Sequence, residues 1–340
     1  MPSNTAAWIK APKERFQVEE APYTSPGAKE IIVKTAAVAI NPLEYKIQDY
    51  NPPVGGNEIK YPTILGSDLA GTVVELGSAV SKWKVGDRVM AHTFGAVIGK
   101  PAQAAFQEHV VLADWLPTPV PDDIALDKAV VLPLACDTAT AGLFLQLGLD
   151  VSGLGNGRSA GEVLLLWGGS SSVGCVAIQM ARAAGYEVFA TASPRNHEFC
   201  RSLGATQVYD YGKSDVEAEI LTALKGKKVV GALDCIADNE KTVPALGRIL
   251  TEVEGKKKIV AVLQPGEIDG VEVQRVSIPD LFRSEHYDQV HAWLASALKD
   301  GVLRCKPDPI IIGKGLESIQ EGIDTLRKGV SAAKVVVKLE

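Results

Sequence analysis

The stretch that most restricts how this chain can fold is residues 162–196, EVLLLWGGSSSVGCVAIQMARAAGYEVFATASPRN. Residues 163–167 are a short apolar run with Gly161 before it and Gly168 after it, the pattern of a strand buried on both faces. Gly168 and Gly169 break the run, and three serines follow. Across 172–184 the apolar positions Val173, Val176, Ala177, Met180, Ala181 and Ala184 recur at three- and four-residue spacing, the period of a helix with one buried side. Gly185 stands where a helix C-cap belongs, and 187–192 is a second strand-like run. The unit is strand, tight turn, helix, strand.

A unit of this kind puts a helix N-terminus at the carboxyl edge of a parallel sheet. Its unpaired N–H groups and its dipole favour a pyrophosphate there. Glycine lets the backbone approach closely, so Gly168, Ser170, Ser171, Ser172 and Val173 are the candidate cradle. The familiar G-x-G-x-x-G is absent: the turn reads Gly-Gly-Ser-Ser-Ser-Val-Gly, with serine at the middle glycine, and a plain small-residue turn is the competing reading. The end of the second strand sharpens the choice. A site for NAD carries Asp or Glu there to hold a ribose hydroxyl. Here the end reads Thr191-Ala192-Ser193-Pro194-Arg195-Asn196, with hydroxyl and guanidinium groups and no carboxylate to repel a 2′-phosphate. The cofactor expected is NADPH, with Ser193, Arg195 and Asn196 at its 2′-phosphate; the alternative for Arg195 is a solvated loop residue.

At 340 residues the chain has room for two domains, each with its own core. A net charge of −6 without any basic stripe argues against nucleic acid or an anionic membrane as partner. The five cysteines, Cys136, Cys175, Cys200, Cys235 and Cys305, form no C-x-x-C pair and read as small core residues in a reducing compartment. The first residues, MPSNTAAWIKAPKERF, have neither an apolar signal core nor a basic amphipathic presequence, and no run approaches transmembrane length. A soluble, cytoplasmic protein is expected.

Taken in order, 1–122 reads as β-rich. Residues 31–40 form a long strand ended by Asn41-Pro42, and 69–76, 88–91 and 107–112 are further β-branched runs punctuated by glycine. A compact β-barrel-like domain is predicted, with weak helical signal. The prolines at 117, 119 and 121 mark a boundary. Helices are expected from about 126 and near 138–149. Strands and helices then alternate: strand 187–192, helix 195–203, strand near Val208, helix 214–225, strand 229–234, helix 239–250, strand 258–263. This is the pattern of a doubly wound parallel sheet. Residues 271–277 suggest one more strand, and 285–299 an amphipathic helix. A helix at 315–328 and a strand at 334–339 find no place in that sheet and are expected to return to the first domain.

Several stretches together resemble the medium-chain dehydrogenase/reductase superfamily over essentially the whole chain. They are Ala39-Ile40-Asn41-Pro42-Leu43-Glu44-Tyr45-Lys46, Pro62-Thr63-Ile64-Leu65-Gly66-Ser67-Asp68-Leu69-Ala70-Gly71, Val85-Gly86-Asp87-Arg88-Val89, the motif at 163–174, and Leu203-Gly204-Ala205 before Asp210-Tyr211. The resemblance implies an α/β chain built of a GroES-like β-barrel catalytic domain over 1–122, with 304–340 returning to it, and a Rossmann cofactor domain over 123–303. It also carries a departure. Zinc alcohol dehydrogenases of the superfamily place a His after the glycine of Leu65-Gly66, where Ser67 stands, and this chain has neither a Cys near 41 nor a four-Cys lobe between about 90 and 110. No metal is expected, and His92 and His109 read as surface or packing residues. The resemblance is nearest to the zinc-free quinone oxidoreductases and enoyl reductases. The serine-rich turn, Thr191-Ala192-Ser193-Pro194 and Leu233-Asp234-Cys235-Ile236 look most like the trans-acting enoyl reductases that serve polyketide synthases.

An enzyme of that branch delivers hydride from NADPH to an electron-poor carbon while charge builds on the carbonyl oxygen. The resemblance puts Lys46 in the cleft as the acid or electrostatic partner, the alternative being a solvated lysine at a helix start, with Tyr45 and Tyr50 as phenols able to donate a proton or simply pack. Asp68 is a candidate to orient the lysine. Thr138 matches a threonine near the nicotinamide carboxamide, and an N-cap role is compatible with it. Tyr211 matches a tyrosine at the 2′-phosphate, Leu263 is expected to reach the nicotinamide by its backbone, and Ser331 and Lys334 border the cleft. Three functions stay open: a reductase of enoyl or enone C=C bonds, acting on a free substrate or one held by a polyketide synthase carrier domain; a quinone reductase; and a non-catalytic NADPH-binding protein.

Overall fold

The computed structural model describes residues 3–54, 56–156 and 161–340. The chain forms two compact units, Met1–Leu134 with Cys305–Glu340, and Ala135–Arg304.

In the first unit the ten-residue strand Glu30–Ala39 is central. It pairs antiparallel with Asp68–Leu76 and with His109–Ala113. Ala333–Lys338 joins its other end, with Val336 opposite Ala39 and Val337 opposite Val38. Arg88–His92 and Thr118–Pro119 continue the sheet beyond Asp68–Leu76. A second sheet orders Gln17–Ala21, Asn4–Ile9 and Thr63–Ile64. Ile31, Val33, Val38, Leu69, Val335 and Val337 share one buried core with Ile319 and Ile323 of the helix Ile319–Lys328. Burying each such side chain stabilises the unit by about 1.5–3 kcal/mol.

Two elements here differ from expectation. Asn41-Pro42 ends the strand and also starts the helix Pro42–Tyr50, with proline in the first turn, where its missing N–H costs nothing. The strand Asp308–Lys314 runs parallel to Ala333–Lys338 at the sheet's edge and has no periodic signal, because Ile310 and Ile311 are both about two-fifths exposed.

The second unit carries the predicted alternation. Its parallel strands lie in the order Gln207–Asp210, Glu187–Ala192, Glu162–Trp167, Lys228–Asp234, Lys258–Ala261, Glu272–Arg275. Numbered along the chain this is 3-2-1-4-5-6, the order of a doubly wound dinucleotide-binding sheet. The order of the strands, all parallel, reverses between Glu162–Trp167 and Lys228–Asp234, so the glycine turn after Trp167 lies at the switch point where such sheets bind ligands. The run expected at 271–277 is the sixth strand.

One reading is corrected. The helical segments Leu126–Ala129, Pro133–Thr140 and the wider turn Ala141–Gln146 join into a span, Leu126–Gln146, long and apolar enough to cross a membrane by length and composition. In its most apolar run of 18 residues, 89% of the residues are buried, so it is a core helix of the fold. The two short helices seen in the sequence hid that length.

Candidate functional site

In the second unit the turn after Trp167 is shaped by its glycines. Gly168 has φ +85°, and a Cβ there would lie 2.8 Å from Cγ1 of Ile236. A Cβ on Gly174 would lie 2.3 Å from the carbonyl oxygen of Gly168, so the first turn of the helix Ser172–Ala183 packs directly on the loop. The next strand ties this loop down: Gly168 N–H donates to Thr191 Oγ1 at 3.1 Å and Gly169 N–H to the Thr191 carbonyl at 2.8 Å. Ser171 is the N-cap, accepting from Gly174 N–H at 3.0 Å. Ser172 Oγ is buried without a hydrogen-bond partner at this same helix start.

Asn196 links the turn to the end of the second strand, donating to Ser170 Oγ at 3.2 Å and to Ser193 Oγ at 3.1 Å. Ala192 lies opposite Asp210 in the parallel ladder, which makes Ser193 and Tyr211 neighbours at adjacent strand ends. Arg195 is exposed and Tyr211 is half exposed. Thus Gly168, Ser170, Ser171, Ser172, Val173, Ser193, Arg195, Asn196 and Tyr211 gather along one sheet edge. The donor set fits an anionic dinucleotide: an orphaned hydroxyl at a helix N-terminus, a loop with no space for a Cβ at 168 or 174, and no carboxylate between 191 and 196. Leu263 lies two residues past Lys258–Ala261 and is partly exposed. Thr138 is buried inside Pro133–Thr140, so the N-cap alternative falls.

In the first unit, Tyr45, Lys46 and Tyr50 sit on Pro42–Tyr50, the first two half-buried and Tyr50 exposed. Burial holds the Tyr45 phenol above its ordinary value, with Tyr50 and the Asp49 charge adding to the effect. Ser331 is exposed just before the strand Ala333–Lys338.

That helix starts on a buried polar network whose density the sequence did not reveal. Asp68 accepts from Asn41 Nδ2 at 2.8 Å and from Leu134 N–H at 2.7 Å, and is ion-paired with Lys334 Nζ at 3.0 Å. The same ammonium donates to Asn41 Oδ1. The lysine that Asp68 holds is therefore Lys334, from the far end of the chain. Glu44, fully buried, accepts from Asn41 N–H at 2.6 Å and from Ser67 Oγ at 2.7 Å. Burial pushes the Glu44 carboxyl up to about 7, with the Asp68 charge adding to the rise against the Ser67 and Asn41 hydrogen bonds and the Lys334 charge. The signal for Glu44 was present: Asn41-x-x-Glu44 has the spacing of a helix capping box.

With these arrangements in place, the comparisons fall into line. Residues 27–122 match the model of the alcohol dehydrogenase GroES-like domain, and residues 172–286 that of the zinc-binding dehydrogenase family. The chain is 37% identical to dehydrogenase azaJ of Aspergillus niger, covering all of both chains. It belongs to the medium-chain dehydrogenase/reductase superfamily. Within that superfamily it is also 39% identical to trans-enoyl reductase himH of Aspergillus japonicus, over 99% of this chain and 97% of that protein. A crystal structure of an alcohol dehydrogenase superfamily protein from Novosphingobium aromaticivorans matches with a TM-score of 0.81 at 25% identity, covering 99% of this chain and all of that one. The chain is thus an oxidoreductase with a GroES-like unit and a Rossmann unit for a nicotinamide cofactor.

The superfamily also implies zinc, and this donor set does not suit it. Asn41 and Ser67 offer neutral oxygens, and the Lys334 ammonium occupies the network they belong to. Among the described residues no three or more His, Cys, Asp or Glu converge as a metal site.

The raised Glu44 carboxyl makes stability depend on pH. Its contribution is full below the ordinary value of 4.5 and is lost as pH rises through about 7. Glu44→Gln should therefore remove a loss of up to roughly 3 kcal/mol that the unmodified chain suffers across this window. Denaturant melts at several pH values measure it, and parallel curves for the two proteins would refute the assignment.

Proposed function

We propose that this chain is an NADPH-dependent, zinc-independent reductase that transfers hydride to the activated C=C bond of an enoyl thioester or enone. The observation that carries the reading is the pairing of an ammonium, Lys334, with Asn41 and Asp68 where a zinc relative would assemble its metal. The likeness to proteins named trans-enoyl reductases supports the substrate class, and a polyketide synthase carrier domain is the proposed source of the enoyl group. The proposed division of labour is 1–122 with 304–340 for catalysis and 123–303 for the cofactor. The free cysteines support a cytoplasmic location.

In this reading Gly168, Ser170, Ser171, Ser172 and Val173 hold the pyrophosphate, and Ser193, Arg195, Asn196 and Tyr211 hold the 2′-phosphate. Thr138, Leu263 and Ser331 border the nicotinamide. NADPH, when bound, supplies the hydride. Lys46 then donates to the carbonyl oxygen on which charge develops, with Tyr45 and Tyr50 beside it on the same helix. The direct test is NADPH oxidation with an enoyl thioester, an enone and a quinone. Turnover fastest on the thioester or enone is expected; preference for the quinone would select a quinone reductase, and no turnover would leave a cofactor-binding protein.

Two variants test the roles. Arg195→Ala should cut the preference for NADPH over NADH by about one to two decades, the worth of one charge-assisted hydrogen bond of roughly 1.5–3 kcal/mol. Direct titration of both cofactors reads this, and an unchanged ratio removes Arg195 from the site. Lys46→Ala should lower kcat by about a hundredfold or more while NADPH affinity stays constant, because the contact forms only as charge develops. A higher KM at unchanged kcat would make Lys46 a binding residue instead.

A further inference from the structure

Glu44 is a fully buried titratable group that the proposed reaction leaves unused. Two carboxylates, Glu44 and Asp68, lie in one buried network with the Lys334 ammonium, and that charge pairs with Asp68 at 3.0 Å. The groups bonded to Glu44 are neutral: Asn41 N–H on Oε2 and Ser67 Oγ on Oε1. Asp68 has the ammonium, an amide side chain and a backbone N–H. When the network takes up a proton, the carboxylate lacking the charged partner is the one that holds it.

Hydrogen-bond logic then fixes where that proton faces. Oε2 is met by an N–H, which can only donate. The protonated carboxyl must donate through Oε1 to Ser67 Oγ, which turns its own hydrogen away from Glu44. Ser67, Glu44 and Thr93 line a small pocket, with room for about one water molecule, walled by Leu43, Leu65 and Phe94. Thr93 Oγ1 already donates to the Gly66 carbonyl at 2.8 Å, so Ser67 carries the movable hydrogen of this wall.

We propose that Ser67 and Glu44 form a proton relay opening on this pocket, in which the Ser67 hydroxyl, through one water seated in the pocket, protonates the substrate carbon next to the carbonyl and Glu44 reloads it. The inference rests on the reductase reading above and deepens it. Hydride added at the β-carbon moves the C=C electron pair onto the α-carbon and the carbonyl oxygen. That pair takes a proton from the pocket water to form the new C–H bond, the water takes the Ser67 proton, Ser67 takes the Glu44 proton, and the carboxylate recovers a proton from bulk water before the next turnover. Asp68 and Lys334 are the charged groups facing Glu44 from the neighbouring strands, and both keep their mutual pairing throughout.

Infrared titration of the purified chain without cofactor, followed by the pH profile of turnover, tests this. The protonated-carboxyl stretch should vanish with a midpoint near the Glu44 value of about 7 and be absent from Glu44→Gln. In the unmodified enzyme kcat should fall as pH rises through that midpoint. Glu44→Gln should lose this limb and on the order of a hundredfold in kcat. Ser67→Ala should lose the rate but keep the infrared band, and Ser67→Thr should restore the rate. Absence of the band from the unmodified chain, or a limb that persists in Glu44→Gln, overturns the relay alone. If the unmodified chain turns over no thioester, enone or quinone, the reductase reading falls, and the relay with it.

Discussion

The buried ion pair between Lys334 and Asp68 is the interaction on which the first unit depends. It joins the start of the helix Pro42–Tyr50, through Asn41, to the strand Asp68–Leu76 and to the strand Ala333–Lys338 that returns from the end of the chain. Both charges are withdrawn from water, at 4% and 0% exposure, so each is tolerable only because the other is present. Removing one partner of such a pair typically costs about 3–5 kcal/mol, far more than a surface ion pair is worth. The helix that carries Tyr45 and Lys46 therefore begins on a fixed electrostatic footing. Its other end is held by the bidentate pairing of Arg327 with Asp49 at 2.8 and 2.9 Å.

The second unit is organised by a steric constraint instead. Gly174 touches the loop backbone where any side chain would collide, and Thr191 uses both its carbonyl and its hydroxyl to hold that loop. The serines that replace a middle glycine cost the fold nothing, because the close approach is made at 168 and 174. They add hydroxyls at the helix start, and Ser172 Oγ is left without a protein partner. A loop fixed so firmly and yet carrying an unsatisfied donor is what an anionic ligand at a helix N-terminus requires.

Local periodicity explains what could be read from residues alone. The Rossmann unit repeats strand and helix at short range, so its alternation and its glycine turn were legible, whereas the order of its strands is a long-range property. The helix Pro42–Tyr50 was less so, since Asn41-Pro42 reads equally as a strand's end and a helix's beginning. The strand Asp308–Lys314 exposes its isoleucines and shows no alternation. Lys334 was placed at the cleft's border, but its pairing with Asp68 spans most of the chain, and no local pattern encodes a contact of that range. Glu44 had a local signal as a capping residue. Its burial, and hence its raised carboxyl, follows only from the packing around it.

The proposed chemistry turns on which cation sits beside Asn41 and Asp68. An ammonium holds charge there without needing thiolate or imidazole ligands, which frees Ser67 to be a hydroxyl facing a pocket. Elemental analysis of the purified chain, produced with zinc in the medium, tests this most directly. The account predicts zinc far below one equivalent per chain and turnover that survives chelation. About one zinc per chain, lost together with activity on chelation, would contradict it.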